Sequence, residues 1–156
     1  MKVILLTVGG EKESWLKELL AGYQKKLGHF VNFSLLQLRK RSLDRGSALA
    51  KKNAEARQLL NYLEDQDYVI LFDEKGRQMD SMDFASRLER ALQCGRQRVI
   101  FTVAGAYGAN EELRARAQET WSLSRLTFNH LIAQAVAAEQ IYRGLTIWKG
   151  IQYHNE

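Results

Sequence analysis

Apolar and polar positions follow two periods along this chain, and the switches between them mark out its elements. Residues 3–8, Val-Ile-Leu-Leu-Thr-Val, form an unbroken apolar run ended by Gly9-Gly10, which predicts a buried strand. Over 13–27 the apolar residues fall at Trp15, Leu16, Leu19, Leu20, Tyr23 and Leu27, the spacing of one helix face. Residues 30–38 predict a second strand, 39–46 a basic loop, and 48–63 a second helix. Residues 68–72 predict a third strand closed by a turn at 73–76, and 81–92 a helix that Ser81 would cap. A fourth strand over 98–103 runs into Ala104-Gly105-Ala106-Tyr107-Gly108. A helix over 111–119, a short strand or turn at 121–124, and a last helix over 131–147 complete the pattern.

Strands alternating with helices argue for an α/β fold with a parallel-rich sheet, read as one domain over 1–156. The chain shows no low-complexity tract, linker or repeat, and it has no proline, so its turns depend on Gly, Asn, Asp or Ser. Open α/β sheets bind ligands beyond the carboxyl ends of their strands. The segments after Phe72, Val103 and Leu123 are therefore the candidates. A glycine-containing turn after a strand is by itself a weak signal. Neither a GxGxxG fingerprint nor a P-loop Gly-Lys-Ser/Thr is present, which disfavours nucleotide hydrolysis.

Composition adds exclusions. A chain of 156 residues buries enough surface to fold without staples. Cys94 is the only cysteine, so an internal disulfide is ruled out, and it reads as a small buried hydrophobe. His29, His130 and His154 are too scattered to suggest a metal site. No signal-peptide pattern or membrane-length apolar run is seen, which points to a cytoplasmic protein without a membrane partner. Trp15, Trp121 and Trp148 read as core or interface residues.

The net charge is +5, but between Lys25 and Arg57 nine bases face only two acids, Asp44 and Glu55. Arg39, Lys40, Arg41, Arg45, Lys51 and Lys52 form the densest part of this stripe. Such a stripe would neutralise phosphates of a nucleic acid, although a solvated surface reads about as well.

The C-terminal third is more specific. Leu123-Ser124-Arg125-Leu126-Thr127-Phe128-Asn129-His130 precedes the last helix, which carries Glu139-Gln140-Ile141-Tyr142-Arg143 and is followed by Tyr153-His154. These ordered pieces, with the Ala104-Gly105 turn and Val8-Gly9, resemble the signature of the RlmH family of SPOUT RNA methyltransferases over essentially the whole chain. Three positions depart from that pattern: Ala104 where glycine is usual, Asn129 for proline, and Gln134 for arginine.

The resemblance implies a SPOUT α/β-knot fold with a C-terminal trefoil knot, a homodimer, and S-adenosylmethionine (SAM) as methyl donor. It implies methylation of N3 of pseudouridine 1915 in helix 69 of 23S rRNA, on the assembled ribosome. Carried over by position, SAM would contact Phe72, Ala104, Gly105, Leu123, Ser124, Arg125, Leu126, Thr127 and Phe128. His154, Tyr153 and Arg143 would be the catalytic group, with the first two as base or base-orienting residues. The partner's tail would lie near the cofactor, and no metal is implied. A non-catalytic ribosome-binding relative and a SPOUT enzyme acting on tRNA are the alternatives. Position 104 would crowd the cofactor if it required positive φ. Losing a cation at 134 would weaken a phosphate contact.

Overall fold

The computed structural model describes residues 1–41 and 45–155, so part of the expected 39–46 loop and residue 156 lie outside the described residues. In chain order the elements are β1 (Lys2–Val8), α1 (Ser14–Leu27), β2 (Phe33–Leu38), α2 (Ala48–Tyr62) and β3 (Tyr68–Arg77). They continue with α3 (Ser81–Leu92), β4 (Arg98–Val103), α4 (Glu111–Arg116), β5 (Glu119–Trp121) and α5 (His130–Trp148). The strands form one sheet in the order β2-β1-β4-β3-β5, with every neighbouring pair parallel. This is the α/β fold expected from the alternation of apolar periods.

Successive side chains of a strand point to opposite faces of the sheet, so each strand feeds two cores. Val3, Leu5, Ile70, Phe72, Val99 and Phe101 pack beneath α1, α3 and α5, against Leu16, Leu20, Phe84, Leu88, Ile141 and Leu145. Ile4, Leu6, Val8, Val69, Leu71 and Ile100 pack on the other side, against Ala56 and Leu59 of α2 and Leu113 of α4. Burial on both faces is why these strands read as continuous apolar runs. Phe72, Phe84, Phe101 and Trp121 stack and cross at centroid separations of 5.2–6.3 Å, clamping β5 to the sheet.

Five sequence expectations are corrected. The third strand does not end in a turn at 73–76 but continues to Arg77, which pairs with Trp121 after an irregularity. Gly76 makes this possible: a Cβ there would lie 2.7 Å from the backbone of Thr120 and Trp121. Ser81 does not cap α3; Asp80 precedes it and accepts from the Asp83 N–H at 2.8 Å. The helix expected over 111–119 stops at Arg116, because Ala117 turns extended and Glu119 already pairs with Ile70. The second strand starts at Phe33, with Phe30 N–H instead closing the end of α1 on Leu27. Cys94 is exposed, because α3 has ended at Leu92 and Gly95 turns the chain at φ +79°.

Candidate functional site

The strand order changes direction between β1 and β4: the chain steps outward to β2, then returns on the other side of β1. In open parallel sheets, such a reversal opens a crevice beyond the carboxyl ends of the strands. A cavity of about 340 Å³ lies there, at the lower end of the range of small-molecule sites. Its walls come from the continuation of β3 (Phe72 to Lys75), the turn after β4 (Val103 to Ala109), the segment after β5 and the start of α5.

Of the nine expected cofactor residues, Phe72, Ala104, Gly105, Leu123, Ser124, Leu126, Thr127 and Phe128 all line this cavity. Arg125 does not; its Nε donates to Gln78 Oε1 at 2.7 Å. The 123–128 segment is held by short local bonds. Ser122 Oγ donates to Ser124 O at 2.9 Å, Leu126 N–H to Ser124 Oγ at 2.9 Å, and Thr127 Oγ1 to Glu74 Oε2 at 2.5 Å. Opposite, Gly108 N–H closes a turn onto Gly105 O at 3.0 Å, with Gly108 at φ +84°.

Several wall residues were not among the expected cofactor contacts: Lys52, which the stripe reading gave to RNA, Asp73 with Arg114, Tyr107, and His130. Arg114 Nη2 pairs with Asp73 at 3.0 Å across the rim. Charged residues scattered 41 positions apart offered no local motif from which to find this pair. Burial pushes the His130 imidazole below its ordinary value, against the opposing pull of Glu55, and Lys40 adds to the drop. This shift favours the neutral ring.

The departures from the family pattern resolve individually. No non-glycine residue among those described has positive φ, so Ala104 sits without strain. Asn129 caps α5, its Oδ1 accepting from the Leu131 N–H at 2.9 Å. Gln134 does not face the cavity. It is 1% exposed and accepts from Thr7 Oγ1 at 3.2 Å and Gln37 Nε2 at 3.0 Å. Its own amide donates to Gly9 O at 3.1 Å, so it ties α5 to the ends of β1 and β2.

The expected catalytic residues lie elsewhere in the chain. Arg143, Tyr153 and His154 are absent from the cavity walls and gather on α5, where the tail folds back. Arg143 chelates Glu139 Oε1 through Nε at 3.1 Å and Nη2 at 2.7 Å, and its Nη1 lies 3.0 Å from His154 Nδ1. A guanidinium can only donate, so Nδ1 accepts and the ring proton sits on Nε2. Tyr153 donates to Glu139 at 3.1 Å, packs edge-on against Tyr142, and carries the Arg143 guanidinium over its ring. Burial, with hydrogen bonding to Tyr23 and Glu139, pushes its phenol well above the ordinary value.

The basic stripe is divided. Arg39, Arg41 and Arg45 are exposed, whereas Lys40, Lys51 and Lys52 are half-buried. Lys40 turns inward to Glu55, and both Lys40 and Lys51 lie within 5.6 Å of the Tyr107 ring centroid.

A family model described as "Predicted SPOUT methyltransferase" matches residues 1–154. The chain belongs to the SPOUT methyltransferase family. It is 42% identical over 155 residues to the ribosomal RNA large subunit methyltransferase H of Bdellovibrio bacteriovorus, covering 99% of each chain. The proteins of the same name from Geotalea daltonii and Cytophaga hutchinsonii are 35% and 34% identical, over 99% of this chain and 100% of each relative. As a SPOUT methyltransferase the chain places its cavity at the strand reversal, and no helix among the described residues is long and apolar enough to cross a membrane.

Proposed function

We propose that this protein is a SAM-dependent methyltransferase of large-subunit ribosomal RNA, acting on N3 of a pseudouridine in helix 69 of the assembled ribosome. The cavity at the strand reversal carries the reading, because its walls suit the parts of SAM. Phe72, Leu123, Leu126 and Phe128 offer apolar surface for an adenine. The turns at 104–108 and 123–128 offer main-chain N–H and C=O groups, and Asp73 and Glu74 offer acceptors for hydroxyl or ammonium groups. When bound, SAM supplies an electrophilic methyl group on a sulfonium sulfur.

The protein's task is then to orient the uracil edge and accommodate loss of the N3 proton. His154 acts as a donor to a uracil oxygen on which charge builds, and Tyr153, whose hydroxyl proton is given to Glu139, orients the cluster. Arg143 fixes the imidazole, and the N3 proton leaves to solvent. Because this cluster is not part of the chain's own cavity, the reading includes a homodimer in which one protomer's tail serves its partner's cavity. The exposed Trp15, Leu19 and Ile132 on α1 and α5 support such a pairing face. The trefoil knot, a single domain over the whole chain and a cytoplasmic location belong to the same proposal.

The test is methylation by the purified protein, with radiolabelled SAM, of ribosomes from a strain lacking the modification. Label in the helix 69 pseudouridine is expected. Label in tRNA alone, or SAM binding without any transfer, would overturn the assignment.

A further inference from the structure

Glu55 is the buried charge that the proposed chemistry leaves unused. It stands on α2 next to Ala56, one turn before Leu59, on the face packed against the sheet, and is only 3% exposed. Burying a carboxylate is costly unless it is paired and hydrogen-bonded. Here Oε2 accepts from the Tyr107 N–H in a long contact of 3.4 Å, and Oε1, sealed from solvent, faces Lys40 Nζ at 3.4 Å without hydrogen-bond geometry. The carboxylate sits directly beneath Gly105. A Cβ built there would collide with Glu55 Oε2 and lie 2.9 Å from Val8 Cγ1. Glycine at 105 thus makes room on its inner side for a carboxylate, and a side chain at this position would meet Glu55 rather than fill the cavity.

We propose that Glu55 is a positioning residue that holds the 105–107 turn in the shape that receives SAM, with Lys40 as its counter-ion. This rests on the reading of the cavity as a SAM site. The turn runs past the cavity with few other anchors: Gly108 N–H to Gly105 O within the turn, and Asn110 Nδ2 to Asn53 Oδ1 beyond it. Both Glu55 and Asn53 belong to α2, so one helix secures both ends of the 105–110 stretch. Lys40 is thereby assigned to the cofactor side of the protein, and the phosphate-contacting share of the stripe falls to the exposed Arg39, Arg41 and Arg45.

The experiment is calorimetric titration of SAM into the full-length protein, beside thermal melts and methyl transfer to unmodified ribosomes. Wild type should bind SAM; if it does not, the reading of the cavity fails, independently of Glu55. Glu55→Gln keeps the shape and an acceptor for Tyr107 but loses the charge, and it should weaken SAM binding at least threefold with an unchanged melting temperature. Its KM for SAM should rise while kcat at saturating SAM stays near wild type, since only the turn's resting shape is disturbed. Glu55→Ala should lose more affinity than Gln, but the decision rests on the Gln variant, which is nearly isosteric. A change in affinity under threefold in Glu55→Gln would overturn the proposal. So would a larger loss accompanied by lower melting temperature and unrecovered kcat, which would make Glu55 a folding residue only.

Discussion

Glu119 shows how one side chain couples the core to solution conditions. Its carboxylate collects the Tyr68 hydroxyl at 2.6 Å, the Trp121 indole N–H at 2.8 Å and Arg87 at 3.2 Å. Burial works against its ionisation, but these bonds and the Arg87 charge outweigh that and hold the carboxyl below its ordinary value of 4.5. Burial and the same bond push the Tyr68 hydroxyl up to about 12. A depressed carboxyl adds stability above its unfolded value that is lost as pH falls through the native one. Glu119→Gln should therefore melt below wild type at pH 7, and the gap should close as pH is lowered from 5 toward 3. A gap that stays constant across that range would dismiss the ionised form as the cause. At the tail, His154→Ala should lower single-turnover methyl transfer by roughly 10²-fold, the typical cost of losing a transition-state donor, with SAM affinity within about twofold. Equal losses in transfer and in calorimetric affinity would show that His154 shapes the site without acting on the target base.

At the scale of elements, the end of β2 and the second half of α2 act as two halves of one device. Gln58 on α2 grips the chain after β2, its Nε2 donating to Arg39 O at 2.9 Å and its Oε1 accepting from Arg41 N–H at 3.3 Å. This leaves the Arg39 and Arg41 side chains facing solvent while Lys40 between them turns inward. Reversing both arginines to glutamate should weaken ribosome binding and reduce the slope of log K against log salt by about 0.9 for each phosphate that is no longer neutralised. SAM affinity should not change. An unaltered slope in filter-binding assays would reduce the stripe to a solvated surface.

At the scale of the molecule, the separation between the cavity and the Arg143–Tyr153–His154 cluster is the central fact. A lone chain holds both halves of the proposed chemistry but does not join them. Ile132 lies exposed near the start of α5, and its burial between two copies would be a large apolar gain. Ile132→Asp should shift sedimentation from dimer to monomer and abolish methyl transfer, while the cavity in each protomer still takes up SAM. A monomeric variant that retained full transfer would confine the reaction to one chain.

Much of this protein was legible from the order of its residues. Strands buried on both faces must be apolar at every position, so 3–8, 68–72 and 98–103 announced themselves, as did the helices with their periodic stripes. The 123–128 segment and the tail were legible as ordered pieces of a family signature. Tertiary structure decided what depends on distant neighbours. Asp73–Lys75 extends as strand because Gly76 lies flat on the backbone of β5. Glu55 became a buried counter-charge because Gly105 and Lys40 converge on it from two other elements. Gln134 became an amide hub because the ends of β1 and β2 meet α5 there. Periodicity reports which side of its own element a residue occupies. It is silent on which charges lie across the gap, because partners such as Arg114 and Asp73 are brought together by the order of strands in the sheet.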